Sequence, residues 1–102
     1  MTTYFIVRAR VADESLRNDF DTWYEREHLP DAKKTFGAKR AFRGWSDVDA
    51  LTHIAFYEFD SSEAAHAIQK SPGFKALIAE FDRVWGDRVT RTRDFVDVVQ
   101  AI

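Results

Sequence analysis

A chain of 102 residues can bury one hydrophobic core and is too short for a second, so residues 1–102 read as one domain. A formal net charge of −2 supplies no cationic footprint for nucleic acid or an acidic membrane surface, so neither is expected as a partner. The absence of cysteine excludes disulfides, iron–sulfur clusters, thiolate zinc sites and cysteine nucleophiles, while nine Phe and three Trp demand a core, pocket or interface to hold their rings.

The apolar run from Tyr4 to Val7 is broken by Arg8, far too short for a signal segment or a membrane span, and a cytoplasmic location is the expectation. Residues 3–12 alternate as a strand, with Phe5, Val7, Ala9 and Val11 on one face and Tyr4, Ile6, Arg8 and Arg10 on the other. Asp13 or Ser15 can cap a helix whose apolar positions Leu16, Phe20, Trp23 and Tyr24 form one stripe. Pro30 disfavours helical geometry at Leu29, which predicts a helix ending with His28 in its last turn, followed by a short helical turn over 31–36 closed by Gly37.

Residues 39–47 and 51–60 read as two strands of an antiparallel hairpin turned at 46–50. Asp60 and Glu63 have capping-box spacing and open a second helix through Ala64, Ala65, Ala67 and Ile68. Ser71-Pro72-Gly73 interrupts it; the pattern resumes with Phe74, Leu77, Ile78, Phe81, Val84 and Trp85, and Gly86 ends it. A last strand spans about 89–99. The order strand, helix, strand, strand, helix, strand predicts an α+β, ferredoxin-like βαββαβ fold with a four-stranded antiparallel sheet and two helices on one face. The other sheet face, taken to carry Ile6, Ile54, Phe56, Phe95 and Val99 with Arg8, Arg10, Glu58, Arg91 and Arg93, is too apolar to stand bare, and the expectation is a homodimer formed through it. A partly wetted sheet covered by arginine stems is the plainer alternative.

The candidate chemistry concentrates in residues 20–30. On an α-helical wheel Glu27 falls near the centre of the arc set by Leu16, Phe20 and Trp23, and His28 lies at its edge one turn after Tyr24. A carboxylate and an imidazole at such a place are candidate functional groups; equally, His28 can serve only to stabilise a helix C-terminus and Glu27 can fray into water. His53 shares its strand parity with Tyr57 and points towards the helices, either facing His28 across a pocket or sitting hydrogen-bonded in the core. Arg43 and Trp45 share a parity and either line a pocket mouth or face solvent and an interface. The three histidines have no metal-ligand spacing, and no Walker loop, GxGxxG or GxSxG is present, so no metal and no cofactor is predicted. A ferredoxin-like fold also serves RNA recognition, but the basic-Gly-aromatic-Gly start of that motif is missing from 51–59.

Asp19-Phe20-Asp21-Thr22-Trp23-Tyr24-Glu25-Arg26-Glu27-His28-Leu29-Pro30 resembles the WY-x-x-x-H-hydrophobic-Pro signature of EthD-like proteins of the dimeric α+β barrel superfamily, and the 52–59 strand and Ser71-Pro72-Gly73-Phe74 are similar to that group as well. Thr35-Phe36-Gly37-Ala38 departs from the group's usual Pro-Gly-aromatic segment, which bears on the shape of the pocket entrance. The wider superfamily includes cofactor-independent monooxygenases of aromatic polyketides, muconolactone isomerases, polyketide cyclases and haem-degrading enzymes. The resemblance implies a pocket between helices and sheet with His28 in or beside it. The expected function is binding of a small apolar or aromatic, polyketide-like molecule, with cofactor-independent acid–base chemistry in which His28 is the base or acid and Tyr24 orients it or stabilises an enolate. Trp23, Glu27, Arg43 and His53 are the expected substrate-binding residues. The alternative is a non-catalytic ligand-binding or stress-associated dimeric module.

Overall fold

The first strand, β1 (Thr3–Val11), lies inside a sheet of order β2-β3-β1-β4, paired antiparallel to β3 (Thr52–Phe59) on one side and to β4 (Val89–Asp97) on the other. The structure, a computed structural model, describes every residue from Met1 to Ile102. β2 (Arg40–Trp45) is antiparallel to β3, as the hairpin reading requires. The turn between them is held by Ser46 Oγ, which accepts from the amides of Val48 and Asp49, and by Asp49, which accepts from Leu51 N and Thr52 Oγ1. This is the four-stranded antiparallel, ferredoxin-like α+β architecture that the element order predicts.

The helical layer differs from expectation at its most telling point. Pro30 does not stop the first helix. Helix α1 (Arg17–Trp23) runs through a π turn (Tyr24–His28) into α2 (Leu29–Phe36), where Pro30 takes a first-turn position. Proline has no N–H to give and its ring collides with a carbonyl four residues earlier in regular α-helix. The wide turn, in which Leu29 N–H donates to Tyr24 O, five residues back, moves those carbonyls aside. Gly37 then closes α2 with φ 65°, a left-handed conformation suited to glycine.

On the second helical segment, the cap is Ser61 rather than Asp60: Ser61 Oγ accepts from Ala64 N at 3.1 Å and opens α3 (Ser62–Ala67). After a single 3-10 turn, Ser71 caps α4 (Pro72–Trp85) through Phe74 N. Gly73 sits where α4 begins beside α2, and a Cβ there would collide with Cγ2 of Thr35.

The buried face of β1 carries Phe5, Val7, Ala9 and Val11, and that of β3 carries His53, Ala55, Tyr57 and Phe59. β4 corrects the sequence reading. Its register sets Arg91 opposite Ala9, Arg93 opposite Val7 and Phe95 opposite Phe5, so these three residues lie on the helix side of the sheet. Thr90, Thr92, Asp94 and Val96 occupy the outer face instead, and Val99 lies beyond the strand. The outer face keeps an apolar centre of Tyr4, Ile6, Phe42, Ile54 and Phe56, with Phe42 stacked on Phe56 at 5.0 Å. Around it stand the ion pairs Arg8–Asp94, Arg10–Asp49 and Arg40–Glu58. No helix is long and apolar enough to cross a membrane.

Candidate functional site

The π turn decides where the histidine points. In α geometry the residue one turn after Trp23 is Glu27; a turn with one extra residue puts His28 there instead. The His28 imidazole accordingly stacks on Trp23, with centroids 4.7 Å apart and planes 18° apart, and meets Tyr24 edge-on at 4.8 Å and Phe81 of α4 at 5.5 Å. Glu27 is rotated outwards and exposed, in a shallow surface depression with Asp19, Thr22 and Arg26, and does not reach the imidazole.

His28 forms part of the wall of a cleft between α2, α4 and the β1–β4 edge of the sheet. Phe5, Val7, Phe36, Tyr57, Phe74, Leu77, Ile78 and Phe81 supply its apolar and aromatic walls, and Arg91 and Arg93 its only full charges. The interior is narrow, about 30 Å3, room for roughly two waters; counted out through the mouth, the unfilled space is about 340 Å3.

Desolvation dominates the electrostatics. Burial, and then the Arg91 charge, push the His28 pKa down to about 4, with Glu80 opposing, so the imidazole is neutral at pH 7. Arg91 has 14% of its side chain exposed, pairs with Asp82 at 2.6 Å, and holds its guanidinium carbon 3.8 Å from the Phe81 ring centroid. Burial and then Arg93 lower the pKa of Arg91. Arg93 has no acidic partner; its guanidinium lies 5.9 Å from the centroid of Phe74.

Behind the cleft lies a second, buried polar group. His53 is wholly buried against Tyr24 (centroids 4.3 Å), Phe20 and Trp45. Arg43 Nη1 stands 3.3 Å from His53 Nε2 and donates to Asp21 Oδ1 at 2.8 Å, while Trp45 Nε1 donates to the same Asp21 oxygen at 2.9 Å. Arginine only donates, so Nε2 of His53 is the acceptor and Nδ1 carries the hydrogen, buried and without a partner. Burial and then Arg43 push the His53 pKa down to about 3, against the pull of Asp21. The Arg43–Asp21 pair and Trp45 therefore hold the core histidine rather than a pocket mouth.

Tyr24 is fully buried, and desolvation raises its pKa to about 12; burial likewise raises that of Tyr57. Of the residues expected from sequence, the structure brings Trp23, Tyr24, His28 and His53 into one aromatic cluster, with Arg43 behind it, and leaves Glu27 outside. Of the cleft walls, Tyr57, Arg91 and Arg93 were missed. Strand parity shared with His53 marks Tyr57; the two arginines needed the β4 register.

No family model and no curated protein matches the chain. Solved structures do. SnoaB, a cofactor-independent oxygenase from Streptomyces nogalater, superposes in mutant form with a TM-score of 0.72 at 14% identity, covering 99% of this chain and 96% of its own. An EthD family protein from Bacillus halodurans gives 0.67 at 17% identity over 92% and 97%. HapK from Hahella chejuensis gives 0.71 at 14% over 99% and 95%. The chain has the fold of these proteins. At such identities the likeness carries the architecture, the ferredoxin-like layer shared with EthD-like and dimeric α+β barrel proteins, and no more.

Proposed function

We propose that this protein works as a homodimer that admits a small aromatic molecule to the cleft beside His28 and performs acid–base chemistry on it without a cofactor. The observation that carries the reading is the imidazole itself: neutral, clamped between Trp23, Tyr24 and Phe81, and set in the wall of a largely apolar and aromatic cleft. A neutral imidazole there can take a proton from carbon next to a ligand carbonyl, and the phenol of Tyr57 in the cleft wall, protonated at neutral pH, can donate towards the resulting enolate oxygen, while the buried Tyr24 packs edge-on against the imidazole and orients it. Trp23 fixes the imidazole plane. The oxygenase chemistry named for SnoaB supports this class of reaction by analogy of fold. The outer sheet face, with Ile6, Phe42, Ile54 and Phe56 at its centre and ion pairs around them, supports the dimer.

The narrow interior favours a second reading, a binding module that holds a ligand at the cleft mouth without turnover. Deuterium exchange separates the two. Incubated in D2O with acetophenone, an enolisable aryl ketone with a single ring, the wild-type protein is expected to speed loss of the α-proton signal, and His28→Ala to lose that acceleration by about 100-fold or more. Binding with no acceleration in either protein establishes the module reading, and equal acceleration in both removes His28 from the chemistry.

A further inference from the structure

The cleft is aromatic on its walls and cationic at its rim, and no carboxylate faces it. Arg91 and Arg93 stand two apart on β4 and so project from the same face of an edge strand, one over Phe81 and the other over Phe74. Asp82 satisfies Arg91 from outside the cleft. Arg93 is left without a counter-ion, on a sheet where Arg8, Arg10, Arg40, Arg43 and Arg91 all have one.

We propose that the cleft selects an anionic aromatic ligand, a single ring bearing a carboxylate or enolate, whose anion docks on Arg93 beside Arg91 while its ring enters between Phe74 and Phe81 towards His28. A planar guanidinium matches a carboxylate through two parallel hydrogen bonds, a geometry that a lysine could not offer, and an anion placed there also relieves the repulsion between the two arginines. The ring meets aromatic walls at the cleft while its charge stays at the wet rim, so neither part is buried unpaired. The narrow interior limits the ligand to one ring, admitted as the half-exposed Phe36, Phe74 and Leu77 side chains yield. This inference rests on the reading of the His28 cleft as the ligand site.

Salicylate and its neutral amide, salicylamide, are matched in shape and differ in charge. Calorimetric titration of the wild-type protein is expected to show salicylate binding at least tenfold more tightly, with perturbation of the His28 ring signals in the proton spectrum. Arg93→Gln, at an exposed position that leaves the fold intact, is expected to bring the two affinities together; Arg93→Lys is expected to recover only part of the difference. Equal affinities in the wild-type protein, or a preference that survives Arg93→Gln, overturn the charge selection while the His28 signals still report ligand in the cleft. Binding that leaves the His28 signals unmoved, or no binding of either compound, overturns it together with the site.

Discussion

At the scale of single residues, the two histidines near Tyr24 carry the largest consequences. Each is held neutral by desolvation, His28 at about 4 and His53 at about 3, against 6.5 for a free imidazole. Because the folded values lie below the unfolded one, the unfolded chain binds more protons between them. Their contribution to stability is thus fully present above pH 6.5 and is lost as pH falls through about 4 and then 3. Thermal unfolding followed from pH 7.5 to 5 should show a melting temperature that falls with pH, before most carboxylates titrate, and a smaller fall in His28→Asn; a flat profile would contradict the burial argument. Arg43 makes a sharper case. Its loss in Arg43→Met leaves the Nε2 acceptor of His53 as unpaired as Nδ1 already is, a cost of about 1–3 kcal/mol in urea denaturation for each buried polar atom left unsatisfied. A change below about 0.5 kcal/mol would mean that His53 finds another donor.

At the scale of elements, the π turn and the meeting of α2 with α4 shape the site. Leu29 N–H donating to Tyr24 O and Pro30 in the first turn of α2 are two sides of one geometry, and it is this geometry that exchanges Glu27 for His28 at the helix–sheet boundary. The α2–α4 contact bounds the cleft and depends on Gly73 having no side chain beside Thr35. Gly73→Ala is expected to destabilise by less than about 1 kcal/mol, because the colliding methyl belongs to the exposed Thr35 side chain, which can turn aside at a cost that only just exceeds what alanine gains as a helix former. Thr35→Ala, which removes the colliding methyl, should restore most of that loss in the double variant, and a chemical-denaturation cycle measures the coupling.

On the scale of the whole molecule, the sheet has one face covered by helices and one with Tyr4, Ile6, Phe42, Ile54 and Phe56 turned outwards. Sedimentation at micromolar concentration should give twice the 11.8 kDa mass of the chain. Phe56→Asp, at the centre of that face and stacked on Phe42, should reduce it to one chain without altering the helical signal in circular dichroism. A single-chain mass in the wild-type protein would count against the dimer.

Periodicity and capping determined the architecture from the chain alone. Alternation in β1 and β3, the 46–50 turn, Gly37, and the Ser71-Pro72 restart each have a local cause, and the resulting element order permits few topologies. Local sequence also set Trp23, Tyr24 and His28 on one helix edge and turned His53 towards the helices, either across a pocket from His28 or into the core. It could not place Glu27, because a helical wheel assumes 3.6 residues per turn and the turn at Tyr24–His28 is wider. Nor could it place Arg91 and Arg93, since Thr90, Thr92 and Val96 alternate with them and either set suits the face of a strand, so only pairing with β1 fixes which set faces inwards. Tertiary structure decided these points because a strand's parity and a helix's phase are set by the partners they pack against.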